Sequence, residues 1–211
     1  MLTVHHLGVS QSERVVWLCE ELELDYQLVR YDRDPVTRMA PPDYKALHPF
    51  GTAPVFTDGA VTLGESGAIV DYILARYGQG RLAPAPDAAN LADYLYWFHF
   101  ANGSMVASSM MEMVGAMLGA SGDAKAFIAG RADRAFALAE SRLGEVAHFA
   151  GDAFTAADIM MVFAFTTMRA FIPRDLGPYP NIRAYLARIG ARPGYQRAMA
   201  KGDPGMTPML G

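Results

Sequence analysis

The chain holds a single cysteine, Cys19, in 211 residues. A lone thiol excludes an intramolecular disulfide framework and leaves no cysteine cluster for a metal, which fits a reducing compartment. Charge is also sparse. Asp, Glu, Lys and Arg make up 19% of the residues and the formal net charge is −4, so no basic excess points to nucleic acid or anionic lipid. The most apolar windows, such as "IMMVFAF", fall far short of the ~20 residues that span a bilayer. The N-terminus shows no cationic stretch followed by an apolar run and a small-residue cleavage site, the pattern of a secretory leader. These absences predict a cytoplasmic protein without nucleic-acid or membrane partners. What the chain does have is 52% hydrophobic residues, enough to bury a sizeable core in one large domain or two small ones.

Periodicity divides the chain in two. Leu2 to Leu7 and Tyr26 to Tyr31 read as short strands, and Val15, Leu18 and Leu22 recur between them at helical spacing, with Glu20, Glu21 and Glu23 on the wet side. The proline-rich "RDPVTRMAPPDYKALHPFGTAP" has room for one short helix near Asp43 to Leu47. Two β-prone runs then flank Asp58-Gly59, a hairpin signal, and a helix follows from Ser66 to Tyr77, stopped by Gly78. The order βαβ, connector, ββα is the thioredoxin-like arrangement. "GQGRLAPAPD" breaks the pattern as a linker. Beyond it only helices are expected: Ala88 to about Ala120 with a bend near Gly103, Asp123 to Ala150, Thr155 to Phe171 behind the capping box "TAAD", Asn181 to Gly190, and Gly194 to Ala200. The expected fold is an α/β thioredoxin-like N-terminal domain over 1–78, a linker over 79–87, and an all-helical domain over 88–211 that forms a pocket of its own.

Several residues admit both a structural and a chemical role. "SQSE" at Ser10 to Glu13 is a capping box in itself, and Ser12 could cap instead. A serine hydroxyl has one hydrogen and two lone pairs, so it can serve the helix and still present a hydroxyl to a ligand at the helix's positive end. Ser66 reads as the cap of its helix, and such an end is also a ready anion site. Glu65 is then a surface acid or a ligand to a cation. Pro54 stands at a strand entrance, where it removes one ladder donor. Cys19 lies mid-helix near the apolar face and reads as core. His5 and His6, adjacent on a strand, point to opposite faces and cannot share a metal. No serine–histidine–acid pattern with supporting context stands out. Met105, Met110, Met111, Met113 and Met117 read as core, subunit interface or an adaptable apolar pocket.

The segments "VSQSERVVWLCEEL", "HPFGTAPVF", "LGESGAIVDYIL" and "FTAADIMM" together make the chain resemble the glutathione transferase superfamily over nearly its whole length. It is most similar to bacterial and fungal members with a serine-rich first loop, related to the theta-type serine group. The resemblance implies that Ser10, four places before Arg14, hydrogen-bonds the glutathione sulfur. It implies that Glu65 faces the ammonium and Ser66 the carboxylate of the γ-glutamyl end. It also implies a cis Pro54, which lets the backbone of Ala53 pair with the cysteinyl residue. Where the family often has a lysine, this chain has Thr52, so the glycyl end falls to His48, Lys45 or Arg38.

The implied activity is that of a glutathione transferase: glutathione serves as co-substrate, its thiol is held as thiolate, and a small hydrophobic electrophile is attacked. No metal is required. A cytoplasmic homodimer with a detoxifying role is expected. The alternatives are a specialised glutathione-dependent peroxidase, dehalogenase, isomerase or lyase, or a non-catalytic binding protein with the same fold.

Overall fold

The structure is a computed structural model that describes residues 1–211. The chain divides into two compact units, 1–82 with 191–208, and 83–190 with 209–211.

The first unit is built on a mixed four-stranded sheet. Strands β1 (Leu2–Leu7), β2 (Tyr26–Tyr31), β3 (Val55–Asp58) and β4 (Val61–Leu63) lie in the order β2-β1-β3-β4. β1 runs parallel to β2, as the intervening helix α1 (Glu13–Glu21) requires, and antiparallel to β3. Leu2, Val4 and His6 alternate on the buried face of β1. The short helix α2 (Pro42–Lys45) covers the other face, where Tyr44 packs with Leu7 and Val55. The hairpin register pairs Asp58 with Val61, which moves the two-residue turn to Gly59-Ala60, with Gly59 at φ +59°. Asp58 stays in the strand because its carboxylate accepts the hydroxyls of Tyr72 and Tyr77 from α3 (Ser66–Tyr77).

Of the three acids expected on the wet side, Glu23, just past α1, is exposed, but Glu20 and Glu21 are covered. The last helix of the chain, α9 (Pro193–Gly202), packs on that side, within the first unit rather than with the preceding helices. Arg197 and Lys201 bind Glu20, Arg192 binds Glu21, and Trp17 meets the Tyr195 ring edge-on at 4.9 Å. An amphipathic pattern cannot tell water from a neighbouring helix that carries cations.

The second unit is helical throughout. Its elements are α4 (Leu91–Phe100), α5 (Ala107–Met117), α6 (Gly122–Glu145), α7 (Ala156–Phe165) and α8 (Pro180–Gly190). A π-helical turn over Ala101–Val106 joins α4 to α5 and carries Gly103, where a bend is expected. Every residue of α7 is buried, as suits a helix apolar on all sides. Its start is fixed by a capping box between Thr155 and Asp158. α6 stops at Glu145, and the stretch as far as Gly151 turns through a bridge to His148. The methionines split. Met105 is core, whereas Met110, Met111 and Met117 are exposed beside Val114 and Leu118. No helix is long and apolar enough to cross a membrane.

Candidate active site

The loop between β1 and α1 is bent sharply. Gly8 N–H continues the parallel ladder to the carbonyl of Tyr31, and Val9 then takes φ +53°, a left-handed conformation that a β-branched residue seldom adopts. Its neighbours over-determine it. Asp203 Oδ1 accepts the Val9 N–H at 3.0 Å, and the Arg33 guanidinium donates to the carbonyls of Gly8 and Val9 at 2.8 and 3.0 Å. Strain of this kind costs about 1–3 kcal/mol and tends to be kept where it positions a functional group. Here the residue that follows is Ser10.

The Ser10 hydroxyl does not cap α1, and no capping box forms. Ser10 Oγ instead accepts the N–H of Ser12 at 3.2 Å and lies 2.7 Å from Ser12 Oγ, while the Ser10 carbonyl takes the Glu13 N–H. Ser12 holds the N-cap position without a side-chain cap, because its hydroxyl turns inward. It accepts the Leu7 N–H at 3.1 Å and lies 2.9 Å from His6 Nδ1. Ser12 is fully buried and Ser10 nearly so.

His6 is the residue that periodicity under-read. On the buried face of β1 it must find polar partners, and it finds Ser12 on one ring nitrogen and Asp203 Oδ2, 3.2 Å away, on the other. Burial alone would raise the Asp203 carboxyl. The hydrogen bond and charge of His6, with the Val9 N–H and Arg30, outweigh it and hold the group below the usual carboxylate range. A serine–histidine–acid array therefore exists, contrary to expectation. Its acid lies 197 positions from the histidine, just past α9, where local pattern gives no hint. His5 points elsewhere, toward the Tyr31 hydroxyl.

At the start of α3, Glu65 takes the flanking position with φ +63° and ψ 114°, and no side chain caps the helix. Ser66 is thus the first helical residue rather than the cap. It is buried, and its Oγ accepts a hydrogen bond from Arg14 Nη1 at 3.1 Å. Arg14 is itself fully enclosed, also donates to Gln11, and is lowered to about 9 by burial, an effect that Glu13 partly opposes. It remains a cation at neutral pH and ties the first turn of α1 to that of α3. Glu65 is exposed.

The Ala53–Pro54 peptide is cis, with Pro54 buried at the entrance of β3 and Ala53 packed against the Leu7–Tyr44–Val55 cluster. His48 is half-buried. Its ring lies against Gly64, where a Cβ would stand 3.2 Å from Cε1, and its Nδ1 accepts the Phe50 N–H. His48 is therefore beside the Gly64-Glu65-Ser66 turn. Thr52, Lys45 and Arg38 are exposed. Cys19 is sealed in the core, and burial, with Glu20 adding to it, pushes its thiol up to about 12.

Residues 5–81 match the family described as glutathione S-transferase, N-terminal domain, and residues 124–193 the one described as glutathione S-transferase, C-terminal domain. The chain is similar to glutathione S-transferase 3 of Schizosaccharomyces pombe, at 31% identity over 95% of this chain and 88% of the relative. Its fold is similar to a glutathione S-transferase crystal structure from Actinobacillus pleuropneumoniae, with TM-score 0.89 and 34% identity over 96% of this chain and 93% of the other. It is also similar to a glutathione transferase homolog from Sulfitobacter solved with bound glutathione, with TM-score 0.78 and 25% identity over 96% of this chain and 98% of the other.

Proposed function

The chain belongs to the glutathione S-transferase family, and from that premise we propose that it holds the glutathione thiol as thiolate at Ser10 for attack on a small hydrophobic electrophile. The observation that carries this reading is the pair of buried serines, Ser10 and Ser66, at the N-terminal ends of two helices that Arg14 ties together.

The donor set suits a γ-glutamyl peptide. Ser66, at the first turn of α3 with the Arg14 cation against its hydroxyl, offers an O–H and an N–H to a carboxylate where the helix dipole also favours negative charge. Glu65, exposed on the same turn, meets the neighbouring ammonium. Ala53, before the cis peptide, pairs its backbone with the cysteinyl residue as an added strand would. His48, against Gly64, turns to the glycyl carboxylate in place of the lysine that Thr52 does not supply.

A free thiol has a pKa of about 8.5 and is mostly protonated at neutral pH. A hydrogen bond from the Ser10 hydroxyl, close to the positive end of α1, favours the anion. The chemical step is then addition of the sulfur to an electrophilic carbon or a similar centre. Ser12 is too enclosed to serve, since the Leu7 N–H, His6 and Ser10 surround its Oγ. The apolar surface of Met110, Met111, Val114 and Leu118 in the helical unit suits a second copy of the chain. A cytoplasmic homodimer with a detoxifying role completes the reading.

Calorimetric titration with glutathione, followed by ultraviolet thiolate absorbance across pH on the same sample, tests it. Binding with a lowered thiol pKa is the expected result; absence of binding overturns it.

A further inference from the structure

Asp203, His6, Ser12 and Ser10 form one hydrogen-bonded line. Asp203 Oδ2 is 3.2 Å from His6 Nε2, His6 Nδ1 is 2.9 Å from Ser12 Oγ, and Ser12 Oγ is 2.7 Å from Ser10 Oγ. His6 and Ser12 have no exposed surface. Gly202 lies beside the imidazole, where an added Cβ would stand 3.3 Å from Nε2.

Such a line has a direction, set by where the hydrogens sit. A carboxylate only accepts, so Nε2 carries a hydrogen toward Asp203. The Ser12 hydroxyl also reaches the Leu7 carbonyl at 3.3 Å, but with His6 neutral Nδ1 is an acceptor at 2.9 Å, and the shorter contact takes the Ser12 hydrogen. Ser12 Oγ, already accepting from Leu7 N–H, draws in the Ser10 hydrogen. With His6 protonated, Nε2–H still donates to Asp203 while the two bonds on the Nδ1 side reverse. Nδ1–H donates to Ser12, Ser12 O–H donates to Ser10, and Ser10 Oγ, also accepting the Ser12 N–H, has its own hydrogen left for a ligand. A protonated His6 is thus the state in which Ser10 can donate to a sulfur anion.

We infer that this line is a proton relay, which takes the proton of the glutathione thiol through Ser10 and Ser12 to His6 Nδ1, with Asp203 holding the imidazolium. The inference rests on the reading that the thiol sits at Ser10. The S–H bond breaks and its proton bonds to Ser10 Oγ. The Ser10 proton moves to Ser12 Oγ, and the Ser12 proton moves to Nδ1. Both serines end neutral, the sulfur ends anionic and the imidazole cationic, so no further reactant is needed. The reversed line also leaves Ser10 donating to the anion it has helped to form.

His6, Ser12 and Asp203 are positioning residues that act through Ser10. The groups that face His6 are Ser12 at the start of α1, Asp203 beyond α9, and Arg30, its register partner on β2, which donates to the Gly202 carbonyl. Arg33 lies nearby on the Gly8 and Val9 carbonyls.

The test counts protons in the unaltered protein. Glutathione and S-methylglutathione are titrated near neutral pH in two buffers of different ionisation enthalpy, with thiolate absorbance and imidazole nitrogen NMR on the same complexes. The expected result is thiolate formation with about zero protons released to buffer, and His6 becoming protonated with glutathione but not with S-methylglutathione, which has no thiol proton. Release of about one proton per thiolate, or His6 in one state throughout, overturns the relay while leaving the glutathione site standing. Absence of binding by either ligand overturns both. His6→Asn is expected to lower the thiolate-to-thiol ratio about tenfold or more, one pKa unit or more. Ser12→Ala, which keeps the His6–Asp203 pair, is expected to show the same loss, and an unchanged ratio in either folded variant overturns the relay.

Discussion

Arg14 Nη1 donates to Ser66 Oγ across 3.1 Å, from the first turn of α1 to the first turn of α3. Fifty-two positions separate the two residues in sequence, yet the bond fixes the relative placement of both candidate glutathione-binding helix ends. Arg14→Met removes the charge while keeping much of the volume. It is expected to cost about 2–3 kcal/mol of stability, since hydrogen bonds to a charged donor are lost and Ser66 and Gln11 are left to re-pair. Denaturant unfolding measures the first effect and calorimetry a weaker glutathione affinity. Unchanged affinity in a folded variant would detach Arg14 from the peptide site.

Ser10→Ala separates capping from chemistry. Since the Ser10 hydroxyl contacts Ser12 and not the Glu13 N–H, α1 keeps its backbone start and the fold should survive. Losing one hydrogen bond to an anion, about 1.5–3 kcal/mol, is expected to lower kcat/KM about 10- to 100-fold at neutral pH, with glutathione affinity within about threefold. Steady-state kinetics at several pH values check this, and turnover that does not change would remove Ser10 from the reaction.

Cys19 should be chemically silent. Its thiol is buried and pushed up to about 12, so almost no thiolate exists at neutral pH and no reagent reaches it. Labelling by a disulfide reagent is expected only at the rate of unfolding. Rapid stoichiometric labelling of the native protein would contradict its place in the core.

Asp158 holds three parts of the helical unit at once. Its carboxylate accepts the Thr155 N–H at 2.8 Å, the Phe149 N–H at 3.0 Å and the Tyr185 hydroxyl at 3.0 Å. Asp158→Ala removes the carboxylate that joins those three buried donors and is expected to cost about 3 kcal/mol or more. Thermal unfolding gives the loss. A decrease under about 1 kcal/mol, the scale of a simple cap, would mean that capping is its whole contribution.

Most of the strands and helices could be read from the sequence because their residues repeat at periods of two or 3.6, whereas the cis Ala53–Pro54 followed only from the family resemblance. The misreadings share a cause, which is that the partner was distant. Glu20 and Glu21 looked solvent-facing because the cations that meet them come from α9. His6 looked like a strand residue of no consequence because Asp203 is supplied from the far end of the chain. Ser10 and Ser66 fit cap patterns, yet a hydroxyl three residues before the first residue of one helix and one just inside the other bond elsewhere. A buried-face histidine next to a serine-rich loop was the available signal, since a polar ring in that register must be paired.

The α1–α9 seam should be the acid-labile part of the first unit. Burial would raise Glu20, but hydrogen bonds from Lys201, Tyr26 and Arg197 hold it below its ordinary value of 4.5, and Asp203 is likewise held below its ordinary 3.8. A carboxyl whose folded pKa is depressed binds fewer protons folded than unfolded, so its contribution is complete above the ordinary value and is lost as pH falls through the folded one. Protonation takes away the acceptor for Arg197 and Lys201 of α9 and, at Asp203 just past the C-terminal end of the helix, the anchor for Val9 and His6. Hydrogen exchange followed from about pH 6 to about pH 3, after correction for the intrinsic rate, is expected to show α9 amides losing protection before those of the β1–β3 ladder. Equal loss in both would mean that the seam is held by Trp17 against Tyr195 and its apolar neighbours, with the carboxylates contributing little. Glu20→Gln distinguishes the two readings: it should flatten the pH response of α9 if the charges matter and leave it unchanged if they do not.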